Sequence, residues 1–177
     1  PFSSFGGSPG ETDSEFYNRV SHRLKHKNRA IIPEDFERII LDRFPSIYQV
    51  LCLNNSRFPE FIKPGEVKVI VVPKIDVRTN FILPRVDYNQ LTVIEDEISR
   101  VISPFVKLNV INPVYEKVRI SCNVQFTNQL VSGELVARLE IDLRSLICPW
   151  FSSEQSEMVF GGSLERSAIL SFIESLE

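Results

Sequence analysis

The chain has 177 residues, of which 43% are hydrophobic and 24% are charged, which indicates one or two globular domains and excludes disorder. Its net charge of −3 is too small to indicate nucleic acid or a membrane as a bulk partner. No apolar run is long enough to span a bilayer, and no signal-peptide pattern opens the chain. Since the first residue is Pro1 rather than Met, we expect the chain to be a fragment of a longer protein.

The N-terminal third predicts a loose segment over residues 1–10, rich in Gly, Pro and Ser, and then a helix. Thr12 and Glu15 form a capping box for this first helix, which should end near Asn28. Its apolar residues should face the core as one stripe. The predicted stripe consists of Phe16, Tyr17, Val20 and Leu24.

A second helix should begin at Pro33, a residue suited to the first helical turn, and stop before Pro45. Two strands are predicted next, over residues 47–53 and 66–72, with a Pro- and Gly-containing loop between them. The residues expected to face inward from the second helix are Phe36, Ile39, Ile40 and Phe44.

The middle of the chain predicts a polar stretch over 73–86 and a third helix with Asp87 and Gln90 as its capping pair. Strands should follow over 106–111 and 117–126, and strict alternation in the second one predicts one buried face. The stripe expected to be buried from the third helix is Leu91, Ile94, Ile98, Val101 and Ile102. The expected buried face of the second strand is Val118, Ile120, Cys122, Val124 and Phe126.

Two more helices are predicted over 133–147 and 163–176, the last one capped by Ser163. In the fourth helix, Ile141 should lie outside the core. The residues predicted to lie in the core beneath that helix are Leu135, Leu139, Leu143 and Leu146.

The helix ends "RVISPF" (100–105) and "SLICPW" (145–150) are similar, which indicates two related units in tandem; chance similarity is the open alternative. The predicted fold class is α+β, with two small tandem α/β layered units in which few-stranded mixed sheets carry helices on one face. The predicted division is a loose segment 1–10, a first unit 11–112 and a second unit 113–177.

Three cysteines, Cys52, Cys122 and Cys148, lie far apart and form no C-x-x-C pair. Neither a disulfide framework nor a zinc ribbon has this spacing. Cys52 and Cys122 fall within apolar runs, where a free thiol packs as a small hydrophobe. We therefore expect a reduced, intracellular protein.

The motif "HRLKH" places the only two histidines, His22 and His26, four residues apart, as in zinc-binding helices. Arg23 stands where H-E-x-x-H needs a general-base Glu, and no third ligand is evident. With both imidazoles expected on the solvent side among many cations, we predict neither a metal site nor a catalytic site there. The motif "FGGS", at 5–8 and 160–163, extends to no complete phosphate-binding pattern, and we predict no cofactor.

A cluster of cations in and after the first helix is the candidate interface. One interpretation is helix electrostatics, because acidic residues open the helix and cations close it. A second is a contact surface for an acidic partner or another subunit, and a third is nucleic acid, which the acidic chain and the lack of interleaved aromatic residues disfavour. The cluster consists of Arg19, Arg23, Lys25, Lys27 and Arg29.

The order of motifs resembles the baseplate J-like proteins of phage tails and related contractile injection systems. In that family a helix with a basic end leads to a Pro-initiated helix, an "FP" stop and a strand with a Cys. The corresponding residues are His26 to Ala30, Pro33, Phe44-Pro45 and Cys52. The resemblance continues at 64–73, 84–87, 103–120, 148–150 and 160–174. The family's large N-terminal part is absent, and Ile32 replaces the usual hydroxyl N-cap, which predicts a weaker cap.

This resemblance implies a non-enzymatic building block of the baseplate wedge, without cofactor or catalytic residues. The implied partners are other baseplate subunits (wedge, hub, sheath or tube components), with self-association left open and no nucleic acid or membrane span. The implied location is the cytoplasm, in an assembled phage-tail-like particle. The alternative is a small enzyme or nucleic-acid-handling domain with an unrecognised carboxylate site.

Overall fold

The computed structural model describes residues 10–74, 83–124, 132–148 and 159–175. Helices and a mixed sheet within these ranges confirm the α+β class. The described residues fall into two compact units, the first made of 10–74 and 85–113, the second of 83–84 and the residues from 114 onward. The elements are α1 (Asp13–His26), α2 (Pro33–Arg43), β1 (Ile47–Asn54), β2 (Glu66–Pro73), α3 (Tyr88–Ser99), β3 (Lys107–Ile111), α4 (Ser132–Ile147) and α5 (Arg166–Ser175).

The first unit is built on a three-stranded sheet in the order β1-β2-β3. β1 pairs antiparallel with β2, and β3 pairs parallel with β2 after the crossover through α3. The core lies where α2 packs on β1 and α3 packs on β3. The apolar faces predicted for both helices are buried there, together with residues from all three strands. The most deeply buried of them are Ile39, Ile40, Cys52, Val69, Val71, Ile94 and Ile98.

Each edge strand of this sheet is closed by a carboxylate from the helix packed against it. Cys52 of β1 donates its backbone N–H to Glu37 Oε1 of α2 at 2.9 Å, and Val110 of β3 donates its own to Glu95 Oε2 of α3 at 3.2 Å. Cys52 and Val110 both pair with Val69 of β2, so the three residues form one row across the sheet. A carboxylate oxygen accepts the outward N–H at each end of this row. A bound N–H is no longer available to a foreign strand.

The helix N-termini are capped in ways that the sequence shows only in part. Asp87 caps α3 as predicted, because its carboxylate accepts the backbone N–H of Asn89 at 3.1 Å. Gln90 instead donates its side-chain amide to Ser46 Oγ at 2.5 Å. At α2, Asp35 Oδ2 accepts the backbone N–H groups of Ile31 and Ile32, both at 3.0 Å. Asp35 therefore supplies one half of a capping box, whereas Ile32 has no side-chain acceptor for the other half.

The predicted inward face of α1 is wrong. Tyr17 and Leu24 are each 70% exposed, whereas His22 and His26, predicted to face solvent, are half-buried. The cause lies in α2, on which α1 packs. α2 uses its apolar residues against the sheet, so α1 packs with a mixed polar face rather than with its apolar stripe.

The predicted strand 117–126 is absent over its described residues, 117–124, which pair with no strand in the described part of the chain. Its predicted buried face is also wrong, since Val118 is 51% exposed, Val124 is 39% exposed and Cys122 is exposed. The alternation of apolar and polar residues shows that this segment could bury one face as a strand. A strand must also pair with a neighbouring strand, and the alternation does not identify one. Phe126, and residue 125, lie outside the described residues.

In the second unit, α4 turns the predicted residues toward its less exposed side, but these residues are less buried than predicted. The leucines predicted for the core are half-buried, and Ile141 is 63% exposed. α5 begins at Arg166 rather than at Ser163, so the predicted Ser163 cap is wrong. The turn before it contains Gly161 at φ 69°, a conformation that glycine adopts without strain.

Removing the carboxylate at the β1 edge should weaken the first unit. We expect Glu37→Ala to lower the free energy of unfolding by about 1–3 kcal/mol, because the partly buried N–H of Cys52 loses its acceptor. Glu37→Gln keeps an acceptor oxygen and should cost less. Chemical denaturation measures both, with Arg38→Ala, an exposed neighbour on the same helix, as the control. An equal cost for Arg38→Ala would contradict this role for Glu37.

The phase of α4 predicts unequal costs for two truncations. Leu139→Ala should cost about 1–2 kcal/mol, below the range for fully buried leucines because Leu139 is half-buried. Ile141→Ala should stay within about 0.5 kcal/mol, as is usual at exposed positions. Urea unfolding of the two variants tests this, and a costlier Ile141→Ala would show that the helix phase is wrong.

Candidate interaction surface

Two of the five candidate cations are engaged within the first unit. Arg19 donates from Nε and Nη2 to the two carboxylate oxygens of Glu11, both at 2.8 Å, and its guanidinium lies 5.5 Å from the centre of the Phe16 ring. The Glu11 pairing raises the pKa of Arg19, and the Arg19 hydrogen bond lowers the pKa of Glu11. Arg23 lies 3.6 Å from Asp42 of α2. These two arginines are therefore paired within the first unit.

The other three cations, Lys25, Lys27 and Arg29, are exposed, and no ion pair joins them to a carboxylate among the described residues. Lys25 lies in the last turn of α1, where a cation is favoured by the helix dipole. Lys27 and Arg29 lie beyond the end of the helix, so the helix dipole stabilises their charges less. The candidate cluster thus separates into a structural pair and three free cations.

The turn that carries the free cations has an unusual backbone. Lys27 and Asn28 both adopt left-handed conformations, at φ 48° and 58°. His26 stabilises this turn, because its Nδ1 accepts the backbone N–H of Asn28 at 3.0 Å and its carbonyl accepts that of Arg29 at 2.8 Å. Arg43 of α2 donates to Asn28 Oδ1 at 2.7 Å. Sequence analysis missed this role of His26; the tolerance of Asn for left-handed backbone was the available signal.

The turn is also docked onto α3. Ala30 is buried and donates its backbone N–H to the carbonyl of Val101 at 3.0 Å. Arg43 contacts Glu97 of α3 at 3.3 Å, and Glu97 in turn pairs with Arg100 at 2.6 Å. Hydrogen bonds and ion pairs therefore connect the end of α1 to both helices of the core layer.

His22 sits in a cationic environment. Partial burial is the main cause that lowers the pKa of His22. The nearby Arg38, Lys25 and His26 lower this pKa further. A neutral imidazole can bind metal, but no group of three His, Cys, Asp or Glu suited to a metal occurs in the described ranges. That the protein needs no metal stays a prediction.

No arrangement of reactive groups in the described part of the chain suggests catalysis. Burial raises the pKa of the Cys52 thiol to about 12, which keeps it protonated and unreactive. Burial also raises the pKa of Cys148. A shallow depression lies beside β2 and β3. The one ion pair among its described lining residues is exposed and joins Lys107 Nζ to Glu66 Oε1 at 3.4 Å. The second "FGGS" does not adjoin a helix N-terminus, because α5 begins later, and the first lies outside the described residues.

Comparison with known proteins identifies the family. The sequence profile of the family "Baseplate protein PVC11-like" matches residues 1–176. The chain belongs to this family. A search of curated proteins finds no match.

Among solved structures, a chain in the cryo-EM structure of the anti-feeding prophage baseplate, six-fold symmetrised, superposes on 96% of this PVC11-like chain with a TM-score of 0.69 and 20% identity. At that identity the likeness shows a shared fold. The PVC11-like chain spans 35% of the length of that chain. The family match makes this chain a baseplate protein. No helix in its described ranges combines the length and apolarity that crossing a bilayer requires.

The environment of His22 predicts a pH dependence of stability. Its pKa is lower in the folded than in the unfolded chain, so the unfolded chain takes up the proton first as the pH falls. The contribution of neutral His22 to the stability of the fold is complete above its unfolded pKa of about 6.5. It is lost as the pH falls through the pKa of His22 in the folded chain. Melting temperatures measured from about pH 7.5 to 5.5 should therefore fall less in His22→Gln than in the wild type. The exposed substitution Asn18→Gln should keep the wild-type slope; a matching slope in His22→Gln would contradict the prediction.

Proposed function

We propose that this PVC11-like chain is a non-enzymatic building block of the baseplate wedge that acts through contacts with neighbouring subunits. The observation that carries the proposal is the family match over residues 1–176. The ordered motifs from His26-Lys27 to "FGGSLERSAILSFIE" support the finer assignment to baseplate J-like proteins. Wedge, hub, sheath and tube components are the proposed partners.

The free cations of the α1 turn support a contact role. Lys25, Lys27 and Arg29 lie close together, are exposed and have no carboxylate partner among the described residues. A surface salt bridge contributes little to stability, so three unpaired cations have little value for the fold itself. In an interface, complementary charge speeds encounter and sets the register of two subunits. We propose that these three cations face an acidic surface of another baseplate subunit.

Neither a cofactor nor catalysis is part of the proposal. The reactive groups are scattered, and the most buried of them, Cys52, is fully enclosed by the core. The three cysteines form no disulfide, which supports assembly in the reducing cytoplasm.

Charge reversal at the turn should impair assembly without unfolding the protein. We expect the triple variant Lys25→Glu, Lys27→Glu and Arg29→Glu to lower the melting temperature only slightly, because a helix C-terminus gains about 0.3–1 kcal/mol from a cation. The full-length protein should nonetheless be recovered poorly in purified particles. The triple variant Arg85→Glu, Lys117→Glu and Arg119→Glu, at other exposed cations, is the charge-matched control. Normal incorporation of the folded Lys25/Lys27/Arg29 variant would reduce the cluster to a solvated helix end.

A further inference from the structure

One end of the first unit gathers the ends of several elements. β1 finishes at this end, and β2 and β3 begin there, because β1 is antiparallel and β3 parallel to β2. The hydrogen bond from Ala30 to Val101 brings the α1–α2 turn to the end of α3, which leads to the loop before β3. At the start of β3, Lys107 donates its backbone N–H to the carbonyl of Gly65 at 2.8 Å, which joins that loop to the β1–β2 loop.

This end, which we call the aromatic end, exposes large apolar side chains from three loops. Phe105 is 91% exposed and Ile31 is 78% exposed. Phe61 is 74% exposed even though its loop is firmly held. Ile62 beside it is buried, and Asn55 donates its side-chain amide to the carbonyl of Ile62 at 2.5 Å. The exposed apolar residues of these three loops are Ile31, Ile32, Phe58, Phe61 and Phe105.

The aromatic end also carries an excess of positive charge. Two of its cations are neutralised locally, Lys107 by Glu66 and Arg100 by Glu97. Five exposed cations at this end have no ion pair among the described residues. Only two of the described carboxylates at the same end are exposed, Glu34 and Glu60. The net charge here is thus opposite in sign to that of the whole chain. The five cations are Lys25, Lys27, Arg29, Arg57 and Lys63.

We propose that the aromatic end docks an apolar patch rimmed by carboxylates on another, different subunit of the baseplate. Burying phenylalanines and isoleucines provides the affinity, and the surrounding cations select an acidic rim. A clustered apolar surface of this kind marks an interaction site in a soluble protein. The aliphatic pair Ile31 and Ile32 favours a protein partner, since single-stranded nucleic acid binds by stacking on aromatic rings.

This inference rests on the proposed function and extends it, because it adds an apolar centre to the three free cations. It leaves Tyr88 of the same unit outside the contact. Tyr88, 76% exposed, stands at the first residue of α3 and therefore at the opposite end of that helix. Tyr88 is a matched control, with similar exposure and an aromatic ring.

The direct test is photo-crosslinking in assembled particles. Benzoyl-phenylalanine replaces Phe61, Phe105 or Tyr88 in the full-length protein, a substitution that keeps an aromatic ring at an exposed position. We expect about tenfold more crosslink to a different baseplate subunit from positions 61 and 105 than from position 88, because side chains at the centre of an interface lie in contact with the partner. Mass spectrometry should place the crosslinked peptide in an apolar segment of that subunit, with Asp and Glu residues around it on the partner surface.

Several results would overturn the inference while leaving the proposed function intact. These are a crosslink to nucleic acid, to a second copy of this chain or within the same polypeptide, and equal yields from all three positions. Absence of the wild-type protein from purified particles would instead refute the proposed function itself.

A loss-of-contact variant gives an independent measurement. We expect the double variant Phe61→Ser, Phe105→Ser to be recovered in particles about tenfold less than the wild type, equivalent to about 1.4 kcal/mol of binding. Tyr88→Ser should be incorporated normally. Circular dichroism of both full-length variants establishes that they are folded, and equal incorporation of folded variants would reject the aromatic end as a docking surface.

Discussion

The first unit depends on the row that runs from Cys52 through Val69 to Val110. The side chains of this row are buried beneath two helices, and those same helices supply Glu37 and Glu95 as acceptors for the outer N–H groups. Apolar burial and polar satisfaction therefore come from the same two helices, at the same level of the sheet. Losing either helix would expose the core and leave an edge N–H unpaired, so a three-stranded sheet of this size needs both.

Much of this unit could be predicted from sequence because its patterns are locally determined. The apolar runs of β1 and β2 and the spacing of Ile94 and Ile98 in α3 are local patterns, and the structure has both strands and both buried isoleucines. The edge carboxylates could not be predicted in this way. Glu37 precedes Cys52 by fifteen residues, and its role depends on how α2 lies over β1, which no local pattern specifies.

Two of the errors have a common physical origin, since both concern which element a segment packs against or pairs with. The apolar stripe of α1 follows a helical pattern, but α2 uses its apolar residues against the sheet, and His22 and His26 of α1 are half-buried while Tyr17 and Leu24 are exposed. The segment 117–124 alternates as a strand should, yet it pairs with no strand of the described chain. For the candidate site, the sequence showed five cations but did not distinguish Arg19, which pairs with Glu11 eight residues earlier, from Lys27, which has no ion pair among the described residues.

The left-handed turn at Lys27 and Asn28 has a consequence for the thermodynamics of association. Its backbone is fixed before any partner arrives, by His26, by Arg43 and by the hydrogen bond from Ala30 to Val101. A flexible basic tail would lose conformational entropy on binding, whereas this turn has already lost that entropy during folding. The stability of the core therefore covers a cost that a disordered segment would meet at the moment of contact, and this preorganisation leaves more of the interaction energy for affinity.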